Sequence, residues 1–247
     1  MENLLIQKET RSFMEFFQES EPDLKKPIII AAMSDMGNVG GIVVDFINDN
    51  LKTKKFRTAK TSYPSYVVDK GGSIELPDEK WEYRYADDFI VFGGGMGQPQ
   101  SNEELHALCQ DVIDVSKKYS AKFIYTLGGF HTNRQLGKDP QTFVTATSMQ
   151  LKEQLEKSKF ETTPQKSLIT GFNGLVLGYA KENGISGIGL YGELNEPEIP
   201  QYRAAKSIIK TLEKLTYQKL GATTELDVMA DDIDKKMKHY WPPKFKQ

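Results

Sequence analysis

The feature that most constrains this chain is a unit that recurs along it. A short, continuously apolar run ends in glycine and leads into a segment with helical spacing of its apolar residues. The clearest copy begins at Pro27, which opens IIIAAM; SDMGNVGG then turns the chain into a stretch where Val39, Val43, Phe46, Ile47 and Leu51 recur every three or four residues. A run apolar throughout is what a strand covered on both faces needs, and a one-sided helix supplies the cover. The second copy is DDFIVFGGG followed by SNEELHALCQDVIDVSKKY, where Ser101 and Glu104 fit a capping box and Leu105, Leu108, Val112 and Val115 form the buried stripe. The third is KFIYTLGGF, with a polar loop from His131 to Gln141 after it. FVTATS reads as a further strand and MQLKEQLEKSK as a charged helix. SLITGFNGLVLGYAKENG reads as a strand, a turn and a helix closed by Gly184. GISGIGLYGELN is the last strand, and Ala205, Ile208, Ile209, Leu212 and Leu215 line one face of the helix after it. Between the first two copies, residues 55–85 alternate polar with β-branched or aromatic side chains, as short, half-exposed antiparallel strands or a hairpin would. The expected fold is a three-layer α/β/α domain around a mostly parallel or mixed sheet.

For 247 residues one layered core suffices, and neither an internal repeat nor a low-complexity linker divides the chain. Residues 1–220 are expected to form that core. The remainder, 221–247, is expected to be a C-terminal amphipathic helix and tail, its apolar stripe running through Leu226, Met229, Ala230, Ile233, Met237 and Tyr240 to Trp241. Thirty-two basic against 34 acidic side chains leave a net charge of -2, which offers no general attraction to nucleic acid or to an anionic membrane. No apolar run approaches the roughly 20 residues that span a bilayer, and the first residues lack the charge pattern of a secretory signal. A lone Cys109 suits a reducing compartment, so the expected location is cytoplasmic.

Chemistry is sparser than structure. Glycines cluster where strands end, at Gly37 with Gly40, at Gly94, at Gly129 and at Gly171 with Gly174. Bare amides there, with Asn38 beside them, could hold an anion in the crevice beyond the strand ends. Equally, glycine at such a turn lets a helix pack tightly on the sheet. MGNVGG matches neither dinucleotide nor P-loop spacing. His106, His131 and His239 are scattered, no metal spacing is present, and neither metal nor cofactor is expected. His131 with Arg134 is the best anion-binding pair, and Glu193 in LYGELN the first choice of general base.

The ordered strings MGNVGG, DDFIVFGGGMGQPQ, FIYTLGGF, GFNGLVLGYAKENGI, GLYGELNEP and AAKSIIKTLEKL resemble the archaeal proteasome assembly chaperone family, homologues of the second subunit of the eukaryotic assembly-chaperone heterodimer. The resemblance implies a fold like that of purine nucleoside phosphorylases with a helical C-terminal appendage, self-association into a homo-oligomer, and binding to proteasome α-subunits without catalysis. Several archaeal and eukaryotic partners of the α-subunit ring end in a hydrophobic-Tyr-any tripeptide that inserts between α-subunits. Here Phe245 fits the first position, but Lys246 stands where tyrosine is expected, a departure from that pattern. Candidate partner contacts are therefore Leu226, Met229, Ile233, Met237, Tyr240, Trp241 and Phe245. The alternative is a phosphorylase-like or ATP-dependent ligase-type enzyme that uses the glycine-lined crevice.

Overall fold

A computed structural model describes residues 7–11, 13–62, 64, 66–99, 101–134, 136–164 and 168–240. In chain order the elements are β1 (Gln7–Arg11), β2 (Met14–Gln18), β3 (Ile28–Ala31), a single 3-10 turn (Met36–Asn38), α1 (Val39–Leu51), β4 (Lys54–Thr61), β5 (Val68–Asp69), β6 (Ile74–Glu75), β7 (Lys80–Ala86), β8 (Phe89–Gly94), α2 (Asn102–Lys118), β9 (Phe123–His131), β10 (Thr142–Ala146), α3 (Met149–Lys157), β11 (Glu161–Thr162), α4 (Gly171–Glu182), β12 (Gly187–Leu194), α5 (Tyr202–Thr216) and α6 (Thr224–Tyr240). Among the described residues, ten of the strands form one sheet in the order β1-β2-β4-β7-β8-β3-β9-β12-β10-β11. β8, β3, β9 and β12 run parallel at its centre, and antiparallel strands flank them on both sides.

Alternate residues of each central strand feed different cores. Ile30, Val91, Leu127 and Leu190 pack with α1 and α5, while Ile29, Ala31, Ile90, Phe92 and Ile124 pack with α2 and α4 on the opposite face. This is the three-layer mixed-sheet fold that the periodicity implies. Ser101 Oγ accepts the Glu104 N–H at the start of α2, as the capping pattern requires. The Glu104 carboxylate does not complete the box, because it takes the Thr61 hydroxyl of β4 instead.

Three local readings need correction. Residues 55–85 do hold antiparallel strands and a hairpin, but β4 and β7 are full strands inside the sheet rather than short, half-exposed ones: Phe56, Ala59, Trp81 and Tyr83 are fully buried, and only the small β5–β6 hairpin is exposed. The N-terminal segment, given no element above, extends the sheet by two strands, with Met14 and Phe16 of β2 covering the α2 side. Leu168 to Thr170 form no strand. Their backbone leads straight into α4 with Leu168 exposed, and the edge beyond β10 is occupied by β11.

Candidate functional site

The four parallel strands deliver the predicted site residues to one end of the sheet, where open α/β sheets hold their ligands. In this chain the turns at Gly37, Gly40 and Gly129 are packed from within. Gly37, at φ +66°, adopts the left-handed conformation that glycine tolerates; its N–H donates to Pro197 O over 2.6 Å and its carbonyl accepts Gln201 N–H over 2.8 Å. A β-carbon at Gly37 would lie 2.5 Å from Gln201 Cγ, so the loop after β12 already covers it. At Gly129 a β-carbon would lie 2.6 Å from Leu194 Cδ2 and 2.7 Å from Met36 Cγ. Gly40 abuts the carbonyls of Met33 and Leu127, where α1 meets the sheet. Asn38 precedes α1 with its Oδ1 buried and, among the described residues, without a hydrogen-bond partner. Gly94 lies apart from these, with its backbone against β7. The close-packing role of the glycines accounts for Gly37, Gly40 and Gly129.

The carboxylate that organises these turns is Asp35, a residue not singled out from sequence. Its Oδ2 accepts the Gly129 N–H at 2.6 Å and its Oδ1 the Gly40 N–H at 3.1 Å, joining β9 to the start of α1. Burial drives its pKa up to about 6, outweighing the backbone N–H groups that favour the ionised form. An Asp placed just after a strand and just before a helix was the available signal. What it holds only the fold reveals.

Glu193 is buried and grasped by Arg134, whose Nε lies 2.5 Å from Oε1 and whose Nη2 bonds Oε2. The Arg134 guanidinium, raised above its ordinary pKa by this bond, also reaches Gln141 Oε1 at 3.3 Å. A bidentate pair of this kind fixes both groups, so neither a free base nor a free anion receptor is present in this arrangement. His131 lies exposed at the end of β9 and does not join them.

Beside this pair is an open cleft of about 410 Å³, walled by the loop from Leu136 to Pro140, the turn between β12 and α5, and one side of α6. Glu193, Ile233 and Met237 all line it, which brings predicted crevice and predicted partner-contact residues into one place. α6 folds back on its own domain: Leu226 and Ala230 are buried, Lys206 on α5 binds both oxygens of Asp227 at 2.6 Å, and Arg203 reaches Asp231 at 2.5 Å and Asp234 at 2.9 Å. Its outer side exposes Val228 (69%) and Met229 (39%), an apolar pair in which only Met229 was anticipated. The Tyr240 side chain, Trp241 and Phe245 lie outside the described residues. Among those residues no group of His, Cys, Asp and Glu could hold a metal ion, and no helix is long and apolar enough to cross a membrane.

The fold has close counterparts. PbaB of Pyrococcus furiosus, described as an archaeal proteasome activator, superposes with a TM-score of 0.79 at 25% identity, covering 92% of this chain and 98% of that one. PbaA of the same organism, described as an archaeal homolog of proteasome-assembly chaperone, gives a TM-score of 0.74 at 19% identity over 89% of each chain. An uncharacterized protein of Methanocaldococcus jannaschii is 26% identical over 228 residues, which are 90% of this chain and 82% of that protein. With the PAC2 family profile matching residues 29–240, from the first central strand to the end of α6, the chain belongs to the PAC2 family.

Proposed function

We propose that this protein is a non-catalytic proteasome assembly chaperone or adaptor that binds core-particle α-subunits. The observation that carries the reading is the close packing over the glycine turns after β3 and at the end of β9. Gln201, Leu194 and Met36 occupy the space against Gly37 and Gly129, and Glu193 is tied to Arg134. Membership in the PAC2 family, and the descriptions of PbaB and PbaA as activator and assembly-chaperone homolog, support a proteasome-related role. Binding is assigned to the C-terminal unit, 221–247, and the cleft beside it, whose lining mixes apolar Ile199, Ile233 and Met237 with charged Lys138, Arg203 and Asp234, as a polar interface with a few apolar anchors requires. The same face serves self-association into a homo-oligomer, and the protein acts in the cytoplasm.

The test is co-elution with recombinant α-subunits in size-exclusion chromatography. The full chain should elute with them, and a Val228→Asp, Met229→Asp variant, altered only at exposed positions of α6, should keep its melting temperature within a few degrees but lose the complex. Separate elution of the unmodified chain would contradict the reading. A nucleoside phosphorylase or ligase would instead be stabilised by nucleosides, phosphate or ATP with magnesium in a thermal-shift screen; no shift is expected here.

A further inference from the structure

At the other side of the glycine loop after β8 lies a pocket of about 270 Å³ whose chemistry is the reverse of an anion cradle. Two glutamates line it, and both are more than nine-tenths buried: Glu79, just before β7, and Glu104, in the first turn of α2. Glu79 accepts the Met96 N–H at 2.7 Å on Oε1 and the Tyr66 hydroxyl on Oε2. Glu104 accepts the Thr61 hydroxyl on Oε1, while its Oε2 accepts nothing among the described residues. Neither carboxylate has an ion-pair partner there. The nearby Lys60 and Lys80 are both committed to Asp78. Trp81, buried with its indole N–H fixed on Gly97 O at 3.2 Å, also lines the pocket, as do the half-buried Tyr66 and the largely exposed Met96.

Buried carboxylates without a counter-charge are costly, and the α2 N-terminus offsets only part of that cost at Glu104. A ligand that brings one positive charge to the carboxylates and an apolar stem to the walls would satisfy Glu104 Oε2 and cover the half-buried Tyr66 ring and Met96. The Tyr66 ring beside Glu79 also favours an organic cation over a hydrated metal ion. We propose that this pocket receives the basic side chain, lysine or arginine, of a partner protein. None of its residues belongs to the α6 cleft, so the pocket can bind or fail to bind independently of α-subunit capture.

The full chain labelled at its two tryptophans allows a direct test by following the Trp81 indole N–H signal, identified with a Trp241→Phe variant, during titration. N-acetyl-lysine amide or N-acetyl-arginine amide should shift it saturably, N-acetyl-norleucine amide should not, and Glu104→Gln should weaken binding about tenfold, the loss expected for one charge-assisted hydrogen bond. 1,3-Diaminopropane, whose second charge falls at the Cβ position of a lysine stem, should bind at least about tenfold more weakly, since that charge would be stripped of water against apolar walls. The proposal falls if neither cationic amide gives a saturable shift, if the norleucine amide binds equally well, if Glu104→Gln leaves affinity unchanged, or if the diamine binds more tightly than the amides. Should Glu104→Gln fail to fold, the norleucine comparison in the unmodified chain decides.

Discussion

Asp35 shows how much one buried carboxylate can hold. It joins two turns 94 residues apart through backbone N–H groups, a link no local pattern displays. Because its native pKa is raised to about 6 from 3.8, the native chain keeps a proton between those values that the unfolded chain has released. Its contribution to stability is therefore complete below the lower value and lost as pH rises through the upper one. Comparing Asp35→Asn with the unmodified chain by urea denaturation cancels the other titrations. From pH 4 to pH 7 the unmodified chain should lose about 2 kcal/mol relative to the variant; a difference that stays flat with pH would refute the assignment. Arg57 and Asp111 are a second pair that sequence could not match. They lie 54 residues apart, with Nη2 to Oδ1 at 2.5 Å and Nε to Oδ2 at 3.2 Å, and Asp111 is fully buried. Removing the guanidinium in Arg57→Ala leaves that carboxylate alone inside the protein, and a loss of about 3–5 kcal/mol is expected by the same denaturation measurement.

At the scale of elements, the glycine-ended strands and the one-sided helices were legible because each is written in consecutive residues. Tertiary choices were not. Phe56, Trp81 and Tyr83 alternate with polar residues just as a half-exposed strand would, yet α2 covers one face of β4 and β7 and turns that alternation into core. α6 shows the same limit. Its stripe was legible, but whether Leu226 and Ala230 meet α5 or another molecule depends on Asp227, Asp231 and Asp234 finding Lys206 and Arg203. Leu226→Ala should therefore cost about 2–4 kcal/mol in thermal or chemical unfolding, as core truncations do, whereas a purely external contact would leave stability unchanged. The glycines carry an opposite test. Gly129→Ala must push Leu194 and Met36 aside and should destabilise by about 1–3 kcal/mol; a neutral effect would mean that the crevice holds empty room.

Across the whole molecule, sequence gave the layer order in outline because parallel strands with intervening helices have few arrangements. It could not give the β-rich wing, where β1, β2, β4 and β7 are joined by pairing rather than by helices. The candidate site divides in the same way. Gly37, Gly129, Arg134 and Glu193 do converge on one end of the sheet, but the glycines are packed and the charges paired there, and an open cleft lies beside them along α6. Hydrogen exchange of the full chain with and without proteasome α-subunits tests this division most directly. The account predicts protection along α6 and the loop 136–140, with no change at 35–41 or 128–131 on adding ATP with magnesium or nucleosides. Protection of those strand-end turns by nucleotide, or an α-subunit complex that leaves α6 exchanging freely, would contradict it.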